Sequence, residues 1–137
     1  MGLCLIEEAL PEMQQKRILI VEDDADLRRM FRTVLSMAGY HVEEAGDGIE
    51  ALHLVENRLP DLIVLDLVLR ALDGVSVQQE LAARAVTRRI PIVIVTGSTI
   101  DTASLEVACV LRKPVMPDEL VRTVKSCLAS GAAASSV

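Results

Sequence analysis

The sequence predicts an α/β fold: a doubly wound, five-stranded parallel sheet with helices on both faces. Three short apolar runs, RILIV at 17–21, LIVLDL at 62–67 and IPIVIVT at 90–96, are each bounded by charge, proline or glycine, as buried strands are. Segments with helical apolar spacing lie between them, and right-handed crossovers leave an alternating strand–helix chain little alternative to one parallel sheet. The composition agrees. Hydrophobic residues make up 51% of the chain, yet Phe31 and Tyr40 are the only aromatics, so the core is aliphatic, which suits strands covered on both faces.

The elements follow in order. After the strand Arg17 to Val21, residues Leu27, Met30, Phe31, Val34, Leu35 and Ala38 share one helical face, with Asp24 placed to cap the start and Gly39 the end. HVEEA at 41–45 reads as a weaker, edge-like strand. Asp47 followed by Glu50 resembles a capping box opening a helix to about Asn57, which Pro60 keeps from continuing. A third helix starts near Asp73 and Gly74 and buries Val77 and Leu81. After IPIVIVT the pattern weakens to a poor helix at about 101–108 and a short strand, CVLR. Pro117, with Asp118 and Glu119 in the first turn, begins a last helix that buries Leu120, Val124 and Leu128. The expected organisation is an N-terminal extension (1–15), one domain (16–129) and a disordered tail, SGAAASSV (130–137). Leu3, Leu5, Ile6 and Leu10 form either an extra helix docked on the domain or on a second copy in a homodimer, or a frayed chain end.

Charge and cysteine usage exclude several classes. With 20 acidic against 14 basic residues, the net charge of −6 opposes a phosphate backbone, and no Lys/Arg stripe runs along any segment, so direct nucleic-acid binding is not expected. Cys4, Cys109 and Cys127 are odd in number and far apart, which reads as reduced thiols in a cytoplasmic protein. The N-terminus carries acids where a signal peptide needs bases, and no apolar run approaches the roughly 20 residues of a membrane helix.

In a doubly wound sheet, sites form at the carboxyl ends of the strands, near the point where strand order reverses. Glu22 and Asp23 stand just beyond Val21, and the third strand finishes with Asp66. Burying such a carboxylate requires a partner. If these strands are neighbours, two like charges about 4 Å apart repel by roughly 4 kcal/mol at an effective dielectric of about 20. A hard divalent cation with oxygen ligands relieves this, and carboxylates, water and a carbonyl suit Mg²⁺. The fourth strand ends in Thr96, a hydroxyl donor, followed by Gly97, and the fifth leads to Lys113, a point charge suited to a phosphoryl group. Together they describe a phosphoryl-transfer site with Asp66 as nucleophile.

The segments ILIVEDDADLRRMF, PDLIVLDLVLRALDG, IPIVIVTG and LRKP, in this order over about residues 16–129, resemble the receiver domain of bacterial two-component response regulators. The resemblance implies a flavodoxin-like sheet of strand order 2-1-3-4-5. It implies that Asp66 accepts a phosphoryl group from a histidine kinase or histidine phosphotransfer protein, and that Glu22, Asp23, Asp66 and the Val68 carbonyl hold Mg²⁺. Thr96 would follow the phosphate as a switch and Lys113 would bind it, with a cis Lys113–Pro114 bond. Such a protein is a phosphoacceptor rather than an enzyme, and a stand-alone receiver acts through a downstream protein target.

The sequence departs from the family pattern at several places. Arg70 stands where the family usually has proline, a change expected to alter the loop's stiffness rather than its chemistry. Val110 replaces the usual Tyr or Phe three residues before the lysine, so the rotating-aromatic part of the switch is missing. Thr96 and Lys113 are only 17 positions apart, shorter than the family's common spacing, so the helix between the fourth and fifth strands should be truncated or irregular. Val68 and Ser98 occupy positions that tune phosphate loss, and an apolar Val68 cannot orient an attacking water. The missing aromatic and the short helix favour as an alternative a pseudo-receiver that binds partners without phosphorylation, although the full acidic set and lysine oppose it. An aspartate-nucleophile phosphohydrolase would need an acid at Val68, and a nucleotide-binding fold would need glycines after the first strand. Asp24 is assigned to capping; His41 and His53 receive no role.

Overall fold

The computed structural model describes residues 15–97 and 101–135. The expectations for the N-terminal leucines, Cys4 and Ser98 lie outside the described residues. Ten elements follow in the order β1 Arg17–Val21, α1 Ala25–Met37, β2 His41–Ala45, α2 Gly48–Asn57, β3 Leu62–Leu65, α3 Gly74–Ala83, α4 Ala85–Arg88, β4 Ile92–Thr96, β5 Cys109–Arg112 and α5 Pro117–Ser135. The strands form one parallel sheet in the order β2-β1-β3-β4-β5. The chain reverses direction across the sheet between β1 and β3, so their carboxyl ends flank the switch point.

Alternation within the strands separates two apolar layers. Ile18, Ile20, Leu62, Val64, Val93 and Val95 pack against Phe31 and Leu35 of α1 and Leu120 and Val124 of α5. Leu19, Val21, Ile63, Leu65, Ile92 and Ile94 pack against Val55 of α2 and Val77 and Leu81 of α3. Each such fully buried side chain contributes about 1.5–3 kcal/mol relative to exposure. Because both faces of the central strands are covered, they read as continuous apolar runs rather than alternating ones. β2, on the sheet edge, is exposed at His41 and buried only at Ala45, which matches its weaker pattern.

Local chemistry sets the helix ends. Asp24 caps α1 by accepting from the N–H groups of Asp26 and Leu27. The helix closes with Tyr40 N–H donating to Leu35 O and Gly39 N–H to Ser36 O, a Schellman arrangement that needs the positive φ of Gly39 (101°). Asp47 accepts from Glu50 N–H at 2.8 Å, while Glu50 reaches back to Gly46 N–H at 2.7 Å, one residue earlier than the capping-box pattern implies. Asp73 caps α3 through Ser76 N–H at 2.8 Å.

Several boundaries move. The β3 ladder stops at Leu65, two residues before the apolar run ends, and β4 starts at Ile92. The poor helix expected at about 101–108 does not form: these residues are turn and irregular structure. Leu105 and Val107 nevertheless pack onto the layer of α2 and α3, covering the sheet without a helical hydrogen-bond pattern. The one-turn α4 was not anticipated; buried Thr87 ties it to α3 by donating to Leu81 O at 2.6 Å. α5 reaches Ser135, into the tail expected to be disordered, consistent with the helix propensity of its alanines. Leu120 and Val124 are buried as expected, Leu128 only partly, and Cys127 takes the remaining buried position. Among the described residues no helix is long and apolar enough to cross a membrane.

Gly74 makes the closest backbone approach to the end of β3: a Cβ there would overlap the Asp66 carbonyl oxygen and crowd Leu67 Cα. Gly74→Ala is expected to lower stability by about 1–3 kcal/mol, the usual range for overpacking, measured by denaturant unfolding. A loss below the measurement error would show that the loop after β3 moves freely.

Candidate functional site

The polar side chains at the top of the sheet are held by backbone bonds that extend the ladders one residue past the strands. Glu22 N–H donates to Ala45 O at 3.1 Å, Asp66 N–H to Val21 O at 3.0 Å, and Lys113 N–H to Thr96 O at 3.0 Å. Each side chain therefore projects from an anchored position at the carboxyl edge. Asp66 sits at the mouth of its strand and has a cation waiting: Lys113 Nζ donates to Asp66 Oδ2 at 3.1 Å and to Glu22 Oε1 at 2.9 Å. The other oxygen, Asp66 Oδ1, accepts from Val68 N–H at 3.2 Å, so both carboxylate oxygens are oriented.

Glu22, Asp23 and Asp66 place one oxygen each within 4.8 Å of one another. Glu22 is 2% exposed, Asp66 5% and Thr96 0%. Burial pushes the Glu22 carboxyl up to about 7, against the opposing hydrogen bonds from Lys113 and Asp24 N–H, with the Asp66 charge adding to the rise. Burial works against the charged form of Lys113 as well, but its hydrogen bonds and charge attraction to Glu22 and Asp66 together hold its pKa above the ordinary lysine value. One ammonium serves two buried carboxylates, with Asp23 as a third acid alongside. Three hard oxygen donors with a surplus of negative charge fit a divalent cation of the magnesium type.

The site assembles Glu22, Asp23, Asp66 and Lys113 as the sequence pattern implied, and Thr96 lies buried at the end of the adjoining strand, opposite Arg112 in the ladder. The Lys113–Pro114 peptide bond is cis. The Val68 side chain is exposed, and Val110 packs against the layer of α2 and α3, filling with an aliphatic group the position the family gives to an aromatic. His41 and His53 are exposed. Cys109 and Cys127 are free thiols. A cavity of about 830 Å³ lined by Arg88, Ile90, Cys109 and Cys127 lies at the starts of β4 and β5, at the opposite end of the sheet from the acids.

Three residues of the site escaped the sequence reading. Arg28 in the first turn of α1 donates to Glu22 O at 2.7 Å and to Glu44 at 3.1 Å, fastening the end of β1 to β2. Its signal was an arginine on the helix turn next to the acids, which sequence spacing does not distinguish from a solvated one. Gly74, noted only as a helix start, clears space for the Asp66 backbone. Arg70 corrects an expectation: its Nε lies 3.9 Å from Asp23 Oδ2, so the residue that replaces proline changes the charge of the site and not only the loop's stiffness.

Comparison with known proteins agrees with this geometry. Residues 18–125 match the family model of the response regulator receiver domain. Response regulator MprA of Mycobacterium sp. (strain KMS) is 39% identical over 119 residues, covering 82% of this chain and 50% of that protein. The chain spans about half the length of the curated relatives it matches. A putative response regulator from Chloroflexus aurantiacus superposes with a TM-score of 0.79 at 33% identity, covering 85% of this chain and 99% of that one. The receiver domain of a sensor histidine kinase from Pseudomonas aeruginosa PAO1, solved with a magnesium ion coordinated in its active site cleft, gives a TM-score of 0.78 at 29% identity, covering 84% and 98%. The chain belongs to the response regulator receiver domain family of two-component signalling.

Proposed function

We propose that the chain is a phosphoacceptor, taking a phosphoryl group onto Asp66 from a histidine kinase or histidine phosphotransfer protein and passing the signal to a downstream protein partner. The observation that carries this reading is the buried Asp66 carboxylate, held by Lys113 at 3.1 Å among two further acids. In the transfer, an Asp66 oxygen attacks the phosphorus of the donor's phosphoimidazole. The new O–P bond forms as the P–N bond breaks, and the imidazole leaves with the electron pair. Lys113, which binds the carboxylate, would bind the incoming phosphoryl oxygens, and the hydroxyl of Thr96, buried at the end of the adjoining strand, would follow them. Glu22, Asp23, Asp66 and the Val68 carbonyl would hold Mg²⁺, which supplies positive charge toward the transferring group.

The chemistry ends at a slowly lost aspartyl phosphate, since Val68 is apolar and exposed and cannot orient water. The full acid set with its lysine argues against the pseudo-receiver. The irregular 101–108 segment and Val110 bear on transmission to the partner rather than on phosphorylation.

Incubation with Mg²⁺ and acetyl phosphate is expected to add one phosphoryl group, mapped by mass spectrometry to Asp66 and absent from Asp66→Asn. A folded wild-type protein that stays unmodified, or is modified elsewhere, would overturn the reading. The phosphorylated protein is expected to persist for minutes or longer; decay within seconds contradicts the role given to Val68. Mg²⁺ is expected to raise the melting temperature more at about pH 8 than at about pH 6. Glu22, with a folded pKa raised to about 7, favours the fold in its protonated form, and this contribution is lost as pH rises through about 7, where the ionised carboxylate becomes free to bind metal. A metal-induced shift that is equal at both pH values, or larger at the lower one, would refute that linkage.

A further inference from the structure

We infer that Arg70 is a resident counter-cation that competes with the divalent metal for Asp23, making this receiver's metal binding weaker and more salt-sensitive than its acid set alone would allow. The inference rests on the phosphoacceptor reading of the site and adds a residue to it.

Two independent observations support it. The first is charge placement. Lys113 serves the buried Glu22 and Asp66, and the largely exposed Arg70 lies beside the partly exposed Asp23, with Nε 3.9 Å from Oδ2. Every acid of the cluster thus has a cationic neighbour before any metal enters. The second is backbone geometry. Leu72 N–H donates to Arg70 O at 2.8 Å across Ala71, whose φ is 68°, so residues 70–72 form a tight three-residue turn that L side chains rarely adopt. Gly48 N–H, at the start of α2, approaches the same carbonyl at 3.5 Å. The backbone that carries Arg70 is thereby tied at the rim of the acid pocket, while its side chain remains 79% exposed and able to swing aside.

A metal ion binding Asp23 must share that carboxylate with the guanidinium or displace it. Because the pair is largely solvated, the competition is modest: exposed ion pairs shift equilibria by factors of about two to five. It also weakens with salt, as solvent-exposed charges are screened over about 8–10 Å at physiological ionic strength.

The test is Mg²⁺ titration by calorimetry on wild type, Arg70→Gln, Arg70→Lys and Arg89→Gln. Arg89 is exposed at the far end of the sheet and controls for the overall change in net charge. Arg70→Gln is expected to bind Mg²⁺ about two- to fivefold tighter at low salt. The gain should shrink in high salt, Arg70→Lys should stay near wild type, and Arg89→Gln should be unchanged. Equal affinity in wild type and Arg70→Gln, or an equal gain in Arg89→Gln, would overturn the role of Arg70 while leaving the phosphoacceptor reading intact. No Mg²⁺ uptake by any of the folded proteins would overturn both.

Discussion

The Lys113 ammonium, bonded at once to Glu22 and Asp66, is the contact around which the top of the sheet is organised. Two carboxylates are almost fully removed from water there, and burying a charge without a partner is among the more costly things a fold can do. One ammonium reduces that cost without cancelling it. Burial still holds the Glu22 carboxyl up at about 7 against the hydrogen bonds from Lys113 and Asp24 N–H, the direction expected where one ammonium serves two buried acids. An excess of negative charge, built into a fixed frame, is what suits such a pocket to a divalent cation.

The frame is mostly backbone. Glu22, Asp66 and Lys113 each follow a strand and are anchored by a ladder hydrogen bond, so the acids and the lysine converge because β1, β3, β4 and β5 lie in register. The loop after β3 adds a second constraint. Gly74 lets α3 start against the Asp66 backbone, and the turn at Ala71 brings the chain back so that Arg70 faces Asp23. The Asp66 backbone is closely packed by Gly74, while Arg70 at the rim is largely exposed to solvent.

The opposite flank is less regular. Where an α-helix would cover the sheet between β4 and β5, residues 101–108 supply Leu105 and Val107 to the apolar layer without helical structure. Burial is therefore conserved while backbone order is not, because apolar contact is non-directional and backbone hydrogen bonding is. Val110 beside this segment removes the aromatic rotor from the same region. Both changes leave the contacts among Glu22, Asp66 and Lys113 intact.

Strand identity, helix faces and caps were legible because they depend on local patterns. The runs around Ile20, Val64 and Ile94 are apolar on both faces, and Asp24, Asp47 and Asp73 cap helices through bonds to residues two or three positions away. Glu22, Asp23, Asp66, Thr96 and Lys113 were legible because a parallel sheet brings every strand's carboxyl end to one edge. What the linear chain could not specify were the contacts that depend on how loops fold back. The reach of Arg70 to Asp23, the clasp of Arg28 on Glu22 and the close approach of Gly74 to Asp66 each join residues whose sequence spacing carries no periodic signal. The failure of 101–108 to become a helix was decided the same way, since a weak helical propensity yields to whatever backbone path best buries Leu105 and Val107. Local hydrogen bonding and periodicity are written residue by residue, whereas the charge balance of a pocket exists only once distant segments share a volume from which water is excluded.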